Sequence, residues 1–107
     1  MTTFDKREEA FEKKYVIDEE LKFKAVARRN RMLGLWAAEK LGKSGADADS
    51  YARDVVVAEF EDAHDDDVVR KVTSDFAAKG VSASELDVRT KMDEFMAQAI
   101  AQLKAGT

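Results

Sequence analysis

No cysteine and no proline occur among the 107 residues, and glycine occurs only five times. The lack of cysteine excludes a disulfide framework, a thiolate nucleophile and a zinc cage built from cysteines. The lack of proline, with glycines few and dispersed, leaves little to interrupt helical runs. None of the glycines stands in the G-x-x-x-x-G-K arrangement of a phosphate-binding loop. A single histidine and scattered serines supply no specific nucleophile–base pairing, so no catalytic residue is expected and the chain is read as a non-enzyme. No apolar run approaches the roughly 20 residues of a membrane span, and the N-terminus lacks a signal peptide's apolar core. The expectation is a soluble, cytoplasmic protein with no membrane insertion.

What is present suits helices. Hydrophobic residues make up 45%, ordinary for a globular chain, and charged residues 37%, which suits exposed helical faces. At this length one domain with a single modest core is expected. The net charge of −4 is unevenly spread. Lys22, Lys24, Arg28, Arg29 and Arg31 form a block without an acid, whereas residues 47–67 hold nine acids against Arg53 alone. The two blocks can pair across a bundle, or the basic strip can face an acidic partner.

Three turn-like stretches follow residue 18: GKSGAD (42–47), EDAHDDD (61–67) and KGVSASE (79–85). They divide the chain into helices over about 18–41, 46–61, 66–79 and 84–104. Asp18 reads as the first N-cap and Gly42 as the stop. Ser44 with Asp47, and Ser82 with Glu85, stand in capping-box spacing before the second and fourth helices. The Val55–Val57 run favours strand, but Ala48, Tyr51, Ala52, Val55, Val56 and Phe60 recur at helical intervals and no second strand exists to pair with it. Gly34 beside Trp36 reads as a close helix contact. The expected core includes Leu33, Trp36, Ala37, Leu41, Val56, Phe60, Val72, Phe76, Phe95 and Met96, and short connections imply antiparallel neighbours. The fold class is therefore all-α: a small four-helix bundle, residues 18–107, behind a flexible or partly helical N-terminal extension, residues 1–17.

That extension, MTTFDKREEAFEKKY, is highly charged. On a helix Phe4, Phe11 and Tyr15 fall within roughly 40° of one another, while Asp5 and Glu8 have capping-box spacing. A stripe so narrow makes the segment marginal as a helix in water by itself. It lies on its own domain or in a partner's groove.

Other candidates carry less. His64 beside three carboxylates invites a metal, but the run reads better as an acidic turn facing the third helix's positive end, so no metal or cofactor is expected. The ARRNR stretch (27–31) lacks interleaved aromatics and sits in an acidic chain, which argues against nucleic acid. The Met and Phe stripe of the fourth helix reads as core.

Together, TFDKREEAFEKKY, DEELKFKAVARRNRMLGLWAAEKLG, the YARDVVVAEFE run and DVVRKV resemble the zeta subunit of alphaproteobacterial F-type ATP synthases. The resemblance runs from Phe4 to about Met92 and is most specific in the first 42 residues. It implies an ATPase inhibitor with a four-helix globular part, monomeric when free. In that family the N-terminal segment enters a catalytic interface of the synthase head, formed by its alpha, beta and gamma subunits, and stops hydrolytic rotation. Carried onto this chain, it implies that Phe4, Phe11 and Tyr15 bury themselves in the partner. Asp5, Arg7, Glu8, Glu12 and Lys14 would then set register and orientation. The alternatives are an adaptor or assembly protein that binds through its bundle surface and, more remotely, a nucleotide-binding regulator.

Overall fold

A computed structural model describes the backbone over residues 3–62 and 65–106 and the side chains over residues 19–59 and 65–106. Four helices follow in order: α1 (Thr3–Lys40), α2 (Gly45–Asp62), α3 (Asp65–Lys79) and α4 (Glu85–Lys104). The valine-rich segment is helical, as its spacing predicts.

The joints have local causes. After α1, Gly42 takes φ 80°, so the Lys43 N–H donates to the Ala38 carbonyl at 2.8 Å and the Gly42 N–H to Glu39 at 3.1 Å. After α3, Gly80 at φ 71° allows the matching pair, Val81 to Phe76 and Gly80 to Ala77. Both are Schellman closures, which need a left-handed residue just past the helix. The fourth helix corrects one expectation: its N-cap is Ser84, which accepts from the Asp87 N–H while the Asp87 carboxylate accepts from the Ser84 N–H. Ser82 and Glu85 have the same spacing one turn-step earlier, but Val81 and Ala83 pack on the core and carry the turn past Ser82. A second correction concerns Asp18. The backbone is helical from Thr3 through that position, with no turn residue to stop it, so no helix begins there.

Packing runs in a ring, α1 to α2, α2 to α3, α3 to α4 and α4 to α1. Among the described residues α1 and α3 also meet across the diagonal, whereas α2 and α4 do not. The diagonal contact includes Trp36 set edge-on to Phe76, with centroids 5.7 Å apart and rings at 75°. The core consists of Leu33, Ala37, Ala38, Leu41, Tyr51, Val55, Val68, Val69, Val72, Phe76, Val88 and Met92. Trp36 and Phe95 are only partly buried against it, and Val56 and Met96 are likewise half-buried. The reason is crowding on helical faces: Val55 and Met92 fill the inward positions, leaving their neighbours at the flanks. The expected core position Phe60 lies outside the described side chains. Gly34 meets the close-contact expectation. A Cβ there would stand 2.6 Å from the Ala52 Cα and 3.3 Å from the Val55 Cβ, so only glycine lets α1 and α2 cross this near.

Candidate functional site

The residues that the sequence singles out for partner binding, Phe4, Asp5, Arg7, Glu8, Phe11, Glu12, Lys14 and Tyr15, all fall on the N-terminal half of α1. Their side chains lie outside the described residues. What the structure does describe is how that half of the helix is rooted.

At 38 residues α1 is about 57 Å long at 1.5 Å per residue, close to the molecule's longest extent of 58 Å. Its partners have 18, 15 and 20 residues, and the other two extents are 26 and 22 Å. Such short partners flank only part of α1. Among the described side chains the first buried one on α1 is Ala25; Glu19, Glu20, Lys22, Phe23 and Lys24 are exposed and Leu21 is half-buried.

One turn beyond Ala25 sits Arg29, only 5% exposed. Its Nη2 donates to the Glu59 carboxylate on α2 at 3.1 Å and to the Asp65 Oδ1 on α3 at 2.8 Å. Its Nη1 reaches the Asp65 Oδ2 at 3.4 Å and its Nε donates to the Asn30 Oδ1 at 3.0 Å. One guanidinium thus joins three helices where α1 leaves the bundle. Its planar fork can serve several acceptors at once, as a lysine ammonium on a flexible stem does less well. Burial, together with the neighbouring Asp65 carboxylate and against the pull of Arg29, raises the Glu59 carboxyl to about 7. Burial also opposes ionisation of Asp65, but the Arg29 and Glu59 hydrogen bonds outweigh it and hold its pKa below the usual range. The pair therefore shares charge unequally: Asp65 is the anion and Glu59 the half-titrated partner near neutrality.

The other two acids of the turn have different arginines. Asp66 accepts from Arg89 at 2.8 Å and Asp67 from Arg70 at 3.1 Å. Three consecutive acids at a helix start do point in three directions. Ala63 and His64 of the same turn lie outside the described residues. No group of three or more potential metal ligands occurs among the described residues.

Pairing between the basic and acidic blocks is thus partial. Arg29 takes acids of the acidic block, Arg28 donates to Gln102 on α4 at 3.2 Å, and Lys24 pairs within α1 with Glu20. Sequence reasoning did not single out Arg29 from its neighbours. The signal was its spacing: Ala25, Arg29, Leu33, Ala37 and Leu41 repeat every four residues, which puts a guanidinium on the apolar stripe.

A long charged helix rooted in a small four-helix bundle matches a known pattern through nearly the whole chain. The model of the family described as ATPase inhibitor subunit zeta matches residues 1–102. The chain belongs to the ATPase inhibitor subunit zeta family. A zeta-like fold is also met in a protein solved by solution NMR, 49% identical, with a TM-score of 0.71 over 81% of this chain and 99% of that one. No curated protein matches the chain. Zeta membership extends the match past Met92 through most of the rest of α4, to residue 102, beyond the reach of the resemblance read from sequence. An inhibitor subunit implies an ATP synthase as the partner. No helix among the described residues is long and apolar enough to cross a membrane.

Proposed function

We propose that this zeta-family chain inhibits ATP hydrolysis sterically, as a two-part device. Residues 1–17 are the inhibitory arm and residues 18–107 the domain that carries it. The arm enters a catalytic interface of the synthase head, where alpha, beta and gamma subunits meet, and blocks rotation without contributing chemistry. The observation that supports this most directly is the excess length of α1: it continues well beyond Ala25, the first buried residue among the described side chains, through a charge-rich segment that carries Phe4, Phe11 and Tyr15.

The physical logic is one of traded order. An arm with so narrow an apolar stripe gains little by lying on its own domain. In a partner's groove Phe4, Phe11 and Tyr15 bury their rings and offset the entropy lost on ordering. Asp5, Arg7, Glu8, Glu12 and Lys14 then fix orientation. The Arg29 anchor keeps the emerging helix aligned with the bundle.

The test is ATP hydrolysis by the purified synthase head, titrated with the full chain and with the chain lacking residues 1–17. Removing the arm takes away none of the described buried residues, so the shortened chain should remain helical by circular dichroism while losing inhibition. Full potency in a folded truncation would instead favour an adaptor that acts through its bundle surface.

A further inference from the structure

Three large apolar side chains among the described residues are strongly exposed: Phe23 at 61%, Val57 at 51% and Leu86 at 72%. Leu86 stands apart at the start of α4, but Phe23 and Val57 border one surface. A cleft of about 430 Å³ between α1 and α2 is lined by Phe23, Val26, Ala27 and Val56, together with Glu19 and Glu59 among its polar walls. A second, of about 750 Å³, is lined by Ala27, Met32, Val56 and Val57 with Arg28, Arg31 and Arg53. Ala27 and Val56 line both clefts, so the two form one continuous seam along the α1–α2 crossing.

Folding does not account for the exposure of Val57. In the valine run Val55 fills the core, Val56 is half-buried and Val57 faces out. A β-branched residue on an exposed helical face costs propensity with no packing return. Phe23 is exposed within a stretch of exposed Lys and Glu. The charge is one-sided: three arginines and no acid line the larger cleft in a chain whose net charge is −4. Arg28 is engaged by Gln102. Arg31 and Arg53, both exposed, have no ion-pair partner among the described residues, although acids are abundant nearby in sequence.

We infer that the seam of Phe23, Ala27, Val56 and Val57, rimmed by Arg31 and Arg53, is a second docking surface. Its occupant is an acidic surface with an apolar centre on the same ATPase head that receives the arm. Continuity selects this partner. The seam begins at Glu19 on α1, two residues beyond the arm, so an inserted arm brings the seam to the mouth of its interface. This inference rests on the arm reading. The arginine rim provides long-range attraction and orientation, and the apolar strip provides burial once the surfaces meet.

The test uses the full chain in four forms, native, R31E/R53E, V57K and F11A, each checked for folding by circular dichroism. Affinity for the purified head is measured by interferometry at low and moderate salt, and inhibition is assayed alongside. R31E/R53E and V57K should each weaken binding about ten-fold, and the double reversal should flatten the salt dependence. Native affinity and salt dependence in both seam variants, with inhibition lost in F11A, would overturn the seam and leave the arm reading intact. Weakened seam variants with F11A fully potent would support the surface and remove the arm. Sedimentation of the free chain closes the remaining route: a dimer abolished by V57K would give the seam to a second copy and overturn the proposal.

Discussion

The two halves of α1 obey different rules within one unbroken helix. From Ala25 to Lys40 each fourth residue is sealed against α2, α3 or α4, and even its arginine is consumed by Glu59 and Asp65. Toward the N-terminus the described side chains turn outward, and the sequence beyond them carries only Phe4, Phe11 and Tyr15 as a coherent apolar line. The C-terminal half specifies its neighbours through packing. The N-terminal half is, on the proposed reading, the part that meets a partner's surface. A helix can therefore be continuous in backbone while only part of it is shown packed into the domain, because hydrogen bonding along the axis is local while burial is not.

Four measurements bear on that contrast. The largest effect belongs to the bundle: Phe76→Ala, at a fully buried site against Trp36, should lower unfolding stability by about 3–5 kcal/mol in urea. If the arm is separate, inhibition per folded molecule should persist in that variant. Next comes the root. Arg29→Ala leaves Glu59 and Asp65 facing each other and should cost about 2–4 kcal/mol, read in the same denaturation. A near-neutral result would mean that the three-helix joint is dispensable.

Third, Phe11→Ala should weaken inhibition of ATP hydrolysis by about 1–3 kcal/mol in apparent affinity while leaving the melting temperature unchanged. A fall in both would tie the arm to the bundle and dissolve the distinction. The smallest effect is a pH response. Glu59 is raised to about 7 in the folded protein, from 4.5 as its ordinary value, so the folded state holds its proton more tightly. The stabilisation is complete below the lower value and is lost as pH rises through about 7. The lowered pKa of Asp65 works in the opposite sense at acid pH, where stability falls as that carboxylate is protonated. Thermal melts between pH 5.5 and 8 should show a decline that Glu59→Gln removes. An unchanged slope in Glu59→Gln would assign the decline to another group.

Helix number, the helix boundaries to within a few residues except the start of α1, and the apolar stripes were legible in the chain because turn residues and the 3.6-residue period act locally. The capping serine of α4 was misplaced because Ser82 and Ser84 both carry an acid three residues on, at Glu85 and Asp87, and only the path of the preceding turn chooses between them. Val56, expected inside, is displaced to the flank since Val55 already meets the Gly34 crossing. The aromatic pattern of the N-terminal segment was visible at once, but the role proposed for it came from likeness to a family. The Arg29 joint and the α1–α2 seam were not foreseen, for each draws on residues from helices far apart in sequence.

Local signals in the chain specify an all-helical protein, with no cysteine or proline to impose another plan, divided at three turns and led by a polar segment with one aromatic line. Those properties depend on neighbours within a few residues, where propensity and periodicity operate. Which basic residue is buried, how closely α1 crosses α2 at Gly34, and which valine of three is left outside are set by the packing of the closed bundle. Such outcomes depend on which helices meet and at what distance, and side-chain volume and charge compensation settle them only when the whole bundle is closed.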